Sequence, residues 1–483
     1  MVLNPHAPGR RTAPRPGLRA RPEWYIPPAS GARPASGGIP LSASRSGPSM
    51  RRRRFLSSVG EAGGAALVTT LFGPETIRKV EAAAQRTGGS SPEDLARDEN
   101  FWSEIQQAFS VTRSIINLNN GGVCPSPRMV TEAFVRYIWE SEEAPVYTMW
   151  QILQPRKENV RQRLAVVFGC DPEEVALVRN TSEAMEILLL GLDLQSGDEI
   201  LTTTQDYGRM LTTIRQRVRR EGIDLKFIQI PTPAETDEEV VEGFRNAITD
   251  RTRIILMSHQ INLTGQILPV KAVCDVARER GIEVMVDGAH SFAQFDFKLE
   301  DIGCDYFGTS LHKWLLAPKG TGMLYVKKDK IPKIWPMMPA PERMDEDIRK
   351  YEEIGTHPAA NFVAVGEAIT FHNTVGAKNK EARLRYLKDT WADRLSALPN
   401  TELHTSKNPR LSCAIGNINL TTVEPPRLRD YFWEKHHIIV TPIMHEEFQG
   451  LRITPNLYTT MAELDYFCNV YEDVARNGLP KSA

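Results

Sequence analysis

Short apolar runs recur along the chain from about residue 115, each closed by polar, small or charged residues and followed by a stretch with helical periodicity. Runs at 175–178, 199–203, 225–230, 253–258, 282–286 and 306–309 predict buried strands, because a strand covered on both faces reads as a continuous apolar segment. Stretches at 160–168, 184–191, 210–220, 238–248 and 270–280 predict helices between them. Strands alternating with helices at this spacing predict a parallel sheet in a three-layer α/β arrangement.

Local punctuation refines the pattern. Residues 92–109 read as one polar helix. A strand at 115–118 runs into Asn119-Asn120-Gly121-Gly122, where two glycines let the backbone come close to a ligand. Ser126 and Pro127 read as the cap and first residue of a helix to about 142. Asn180 with Glu183 reads as a capping-box start. A tight return at 319–322 leads to a strand at 323–326, and 359–375 predicts a helix leaving the large domain. From about 376 a smaller α+β domain is expected, with helices at 380–398 and 426–435 and a strand at 415–420. His436-His437 reads as a helix end, not a metal site.

The start of the chain has a different character. Residues 1–49 are rich in Pro, Gly, Ser, Ala and Arg with one acidic residue, Glu23, and bury too little to fold alone. After Met50, the residues Arg52, Arg53, Phe55 and Leu56 match the twin-arginine export pattern. A weakly apolar stretch and the small residues Ala82 and Ala84 follow. The expectation is export to the periplasm or exterior, with Met50 the true start and residues 1–49 an artefact of start-site choice. A cytoplasmic protein with a basic tail and an organelle transit peptide are the alternatives. The expected division is a basic extension (1–49), a signal segment and linker (50–90), a segment packing with the small domain (91–135), a large domain (136–370) and a small domain (371–483).

Composition narrows the function classes. Across 483 residues the formal net charge is -1, which gives no argument for nucleic acid or an acidic membrane surface. No run predicts a stable membrane span. The six cysteines form neither CxxC pairs nor clusters with histidine, so no zinc site or disulfide framework is indicated.

The candidate chemistry lies in residues 284–313. One apolar run ends in Asp287 and the next is followed by Lys313, and ligands of open α/β sheets sit at the carboxyl ends of strands. An acid and a lysine meeting there suit pyridoxal phosphate (PLP). The lysine amine forms a Schiff base with the cofactor aldehyde, and the carboxylate keeps the pyridine nitrogen protonated.

The order D-G-A-H (Asp287–His290), then S-L-H-K (Ser310–Lys313), resembles the aminotransferase class V family of PLP enzymes over residues 115–458. That family includes cysteine desulfurases, kynureninase and isopenicillin N epimerase. The resemblance implies a type I PLP-dependent transferase fold with Lys313 and Asp287 catalytic. It implies that Thr181 and Ser182 hold the phosphate and that Tyr207 covers the ring face. Asn262, in an H-x-x-N-x-x-G turn, reaches the cofactor hydroxyl or the substrate. His290 and Ser310 add hydrogen bonds, and His312 adds a donor for phosphate. Gly355-Thr356 implies a homodimer in which Thr356 reaches the neighbouring subunit's cofactor. Arg452, in an L-R-I-T-P element, binds a substrate carboxylate, with Asn120 nearby. The segment 441–450 lacks the cysteine of desulfurases, so the pattern is most like the isopenicillin N epimerase branch, acting at the α-carbon of an amino acid or a derived metabolite. A PLP-dependent lyase, a PLP-holding regulator and a binding protein in which Asp287 and Lys313 form only an ion pair are the alternatives.

Overall fold

The structure, a computed structural model, describes residues 89–480 together with Arg78, Glu81 and Ala82. The basic extension and the twin-arginine pattern lie outside the described residues.

The strands, in chain order, are β1 (Ile116–Asn117), β2 (Val175–Val178), β3 (Glu199–Thr203), β4 (Asp224–Ile228), β5 (Thr252–Ser258), β6 (Glu283–Asp287), β7 (Tyr306–Ser310), β8 (Gly322–Val326), β9 (Thr401–Leu403), β10 (Gly416–Leu420), β11 (Ile438–Ile439), β12 (Thr441–Met444) and β13 (Gln449–Ile453). Seven form one sheet in the order β2-β8-β7-β6-β5-β3-β4. From β4 to β7 neighbouring strands are parallel, joined through helices such as Gly208–Glu221 and Val270–Glu279. β2, β3 and β7 are buried at every residue, and the one charged group among them, Glu199 at the start of β3, accepts from the Thr249 and Thr252 hydroxyls.

The sheet departs from the expected all-parallel form at one edge. β8 runs antiparallel to both β7 and β2. The link 311–321 is too short for the crossover helix that parallel pairing needs. Two apolar clusters flank the sheet, one containing Phe168, Phe307 and Trp314, the other Met185, Leu256 and Tyr306.

A second, four-stranded antiparallel sheet has the order β12-β13-β10-β9. It shares a separate apolar cluster with the helices Ala377–Ser396, Pro425–His436 and Met461–Asn477. β1 pairs in parallel with β11, which carries the Gly121-Gly122 turn from the N-terminal side to the junction of the two sheets.

Several local expectations are corrected. Residues 92–109 form two helices, Pro92–Leu95 and Glu99–Gln106, because Asp98 caps the second by accepting from Asn100 N at 3.0 Å and Phe101 N at 3.3 Å. Nor is this segment polar, since Phe101, Trp102 and Ile105 are buried. The next helix is Arg128–Glu143, capped at Pro127, while Ser126 Oγ donates to Ala317 O at 3.0 Å. The helix expected at 160–168 begins at Gln154, preceded by a π-helical turn, Thr148–Leu153. Its first half was illegible because the charged Lys157 and Arg161 are buried on Glu352. Asn180 does cap Thr181–Gly191, but the Glu183 carboxylate binds Arg179 instead of returning to the cap. His437 ends the helix Pro425–His436 in a left-handed conformation.

Candidate active site

Parallel register sets the site. Ser258 at the end of β5 lies opposite Asp287 at the end of β6, and Asp287 lies opposite Gly308 in β7. The Asp287 turn needs glycine next. A Cβ on Gly288 would fall 1.9 Å from Phe307 Cζ, so only a bare backbone packs there.

A cavity of about 290 Å³ opens at these strand ends, a size that suits a small ligand. Asp287, Lys313, His290, Ser310 and His312 line it. Thr181 and Ser182, the first residues of Thr181–Gly191, line another wall, and Tyr207, Asn262 and Arg452 complete it. Among the described residues no cluster of acidic, histidine or cysteine side chains is arranged to hold a metal. No helix there is long and apolar enough to cross a membrane.

One expected residue is elsewhere. Asn120 is buried in the scaffold, donating to Asn117 O at 3.0 Å and Thr454 O at 2.9 Å and accepting from the Tyr458 hydroxyl at 2.7 Å. Its polar atoms are used up, and its glycine neighbours line the cavity in its place. At Gly121 a Cβ would lie 3.4 Å from Arg452 Cζ, so this backbone supports the arginine. Thr356 is exposed and lies outside the cavity of its own chain; its expected partner is the cofactor of a neighbouring subunit.

Burial sets the electrostatics. Asp287 accepts from Ala289 N at 2.9 Å through one oxygen, and the other has no protein partner among the described residues. Burial, helped by the charge of Asp206, pushes its carboxyl up to about 6. Burial lowers the Lys313 ammonium to about 8, with Asp287 opposing and Arg452 adding. Lys313 Nζ lies 3.1 Å from His290 Nε2. Arg452 donates to Asn119 Oδ1 at 2.8 Å and Asn262 O at 3.1 Å, while its buried Nε has no partner among the described residues. Ser310 Oγ accepts from Thr181 N at 2.9 Å and lies 2.7 Å from Thr181 Oγ1, tying the helix N-terminus to the end of β7.

The arrangement gathers a helix N-terminus able to hold an anion, a carboxylate with a vacant oxygen, an amine of lowered basicity and a guanidinium lacking an anion among the described residues. A family model described as aminotransferase class-V matches residues 116–466. The chain belongs to the aminotransferase class-V family. It is similar to isopenicillin N epimerase of Streptomyces clavuligerus, with 29% identity over 75% of this chain and 96% of the relative. Its fold is similar to the apo structure of a cysteine desulfurase from Thermococcus onnurineus NA1, with TM-score 0.70 and 20% identity over 78% of this chain and 98% of the other. It is also similar to a C-DES mutant with glycine covalently linked to its PLP cofactor, with TM-score 0.68 and 22% identity over 76% of this chain and 99% of the other.

Within this class-V site, reading the sequence missed three residues. Gln260 lines the cavity, whereas His259 packs between Phe295 and Phe297, with ring centroids at 5.2 and 4.7 Å. The alternation of side chains past a strand end was the available signal. Asp206 is buried and accepts from Thr202, Thr203 and Ser258 side chains, a contact set with no local signature. Trp314 is fully buried against His290, a contact that nothing in the local sequence marks.

Proposed function

We propose that the protein is a PLP-dependent enzyme acting at the α-carbon of an amino acid or amino-acid-derived metabolite, in the manner of the isopenicillin N epimerase branch. The observation that carries this reading is the convergence of Asp287, Lys313 and an anion-free Arg452 on one cavity. The residues fit the cofactor. Asp287 has an unused oxygen for a protonated ring nitrogen, Lys313 an amine for the aldehyde, and Thr181 and Ser182 the helix N-terminus for the phosphate. Tyr207 lines the wall available to the ring face.

When bound, PLP supplies the electron sink for the pair left at the α-carbon. The chain's own groups do the rest. Arg452 orients the substrate carboxylate, and its rigid fork with an unpartnered Nε suits two-point binding. Lys313 Nζ takes the α-proton, and its lowered basicity makes the neutral amine available near neutral pH. Asp287, as a carboxylate, would hold the ring nitrogen protonated.

Cysteine chemistry disfavours the desulfurase reading. The hairpin β12–β13 carries no thiol, and Cys124 is buried beneath the Lys313 loop with its thiol pushed up to about 12 by burial. Such a thiol is a poor nucleophile. A homodimer is supported by an apolar ridge, in which Trp139 is 70%, Val146 68%, Tyr147 62% and Trp150 51% exposed. Exposed apolar patches of that kind mark interaction surfaces, and light scattering tests the assignment.

The functional test is direct. Purified protein supplied with PLP and reduced with borohydride should carry the label on Lys313, read by peptide mass spectrometry. A separate, unreduced sample incubated with amino acids in heavy water should exchange the α-hydrogen. A protein that binds no PLP, or carries the label on another lysine, overturns the reading.

A further inference from the structure

One buried group beside the cavity has no role in that chemistry: the indole of Trp314. Trp314 is fully buried, and its Nε1–H donates to His290 Nδ1 at 3.4 Å. The other nitrogen of the same ring, His290 Nε2, lies 3.1 Å from Lys313 Nζ. Three side chains therefore form one line, indole to imidazole to amine.

The direction of that line follows from what each group can do. An indole nitrogen only donates, so His290 Nδ1 must present its lone pair. Burial holds His290 well below its ordinary value, with the Lys313 and Arg452 charges adding to the effect, so the ring is neutral and its single proton sits on Nε2. That proton points at Lys313. An ammonium has only donors and would meet another N–H, whereas a neutral amine offers the lone pair that accepts it. In the opposite tautomer Nε2 would accept, and a charge-assisted bond would favour the ammonium.

We infer that Trp314 is a positioning residue: its indole N–H holds His290 in the Nε2–H tautomer, and this shifts the free Lys313 amine towards its neutral, hydrogen-bond-accepting form. The inference rests on the reading of Lys313 as the cofactor-bearing base and adds how its protonation state is controlled. The other groups facing the amine act in both directions. Asp287 from β6 and the Cys124 thiol favour the charged form, and Arg452 from β13 opposes it. Lys380, on the helix Ala377–Ser396, donates to the Trp314 carbonyl and fastens the backbone on the C-terminal side of the indole.

Cofactor-free protein tests this. Trace acetylation with acetic anhydride reads the free-amine fraction of Lys313 along a pH series, by mass spectrometry of its peptide. Trp314→Phe removes the N–H and retains an aromatic ring. The expected result is a midpoint raised by about one unit, seen as labelling roughly tenfold slower at neutral pH and recovering at high pH. A purely structural role for Trp314 would not move this profile in that way. In ¹⁵N-histidine-labelled wild-type protein, His290 should show a protonated Nε2 and an unprotonated Nδ1. An unchanged Lys313 midpoint in Trp314→Phe, or a wild-type His290 protonated on Nδ1, overturns the inference. The second readout needs no variant, so a misfolded Trp314→Phe does not shield it. Neither readout uses PLP, so failure here is separate from failure of the proposed function, which the borohydride label decides.

Discussion

The guanidinium of Arg452 meets an amide, not a carboxylate: Nη2 donates to Asn119 Oδ1 at 2.8 Å. Burial lowers this group to about 10, and an unpaired buried cation costs stability. The site therefore holds a charge that a substrate anion would satisfy. Arg452→Met should lower kcat/KM by about a hundredfold or more while raising the melting temperature of the cofactor-free protein. Steady-state kinetics and calorimetry check the two directions. A variant that melts lower would mean that the guanidinium is already compensated.

Lys313→Ala should leave the fold intact and abolish the borohydride label. Loss of a general base costs about 10² to 10⁴ in rate, so α-hydrogen exchange should fall at least that far. Exchange at the wild-type rate would remove Lys313 from the chemistry.

Asp287 gives a pH signature. Its carboxyl rises from an ordinary 3.8 to about 6 in the fold. A raised folded value means that the stability contribution is fully present below the unfolded value and is lost as pH rises through about 6. Asp287→Asn should therefore stabilise the cofactor-free protein by roughly 2–3 kcal/mol at neutral pH and by nothing below pH about 4. Urea unfolding at the two pH values reads the difference. The same substitution should weaken PLP retention.

Glu352 offers a contrast far from the chemistry. Its carboxylate pairs with Lys157 at 3.0 Å and Arg161 at 2.6 Å and accepts from Leu177 N at 2.7 Å. Removing one partner of a buried ion pair costs about 3–5 kcal/mol, so Glu352→Gln should destabilise the protein by that order with kcat little changed. Despite the opposing cost of burial, these partners hold the carboxyl below its ordinary range. Its stability contribution is therefore present above the ordinary value of 4.5 and is lost as pH falls. Thermal melts along a pH series below about 4.5 should show the wild type losing this margin.

The twin-arginine pattern has its own test. N-terminal sequencing of protein from cell fractions should find an exported chain beginning near Ala84. A cytoplasmic chain that starts at Met1 removes the export reading.

The sequence by itself determined the alternation of strands and helices, the strand ends that carry Asp287 and Ser310, and the Asn180 cap. Each depends on residues a few positions apart. What it could not determine was set by partners far away in the chain. Asn120 turns inward because Thr454 and Tyr458 consume its hydrogen bonds, and the helix Gln154–Phe168 extends through buried charges that only Glu352 makes tolerable. Arg452 lacks an anion, and Trp314 reaches Lys313 through a histidine from the preceding turn. Local spacing reveals where a side chain starts. Which atoms it finally meets depends on how distant strands pack, and that was decided only in the tertiary structure.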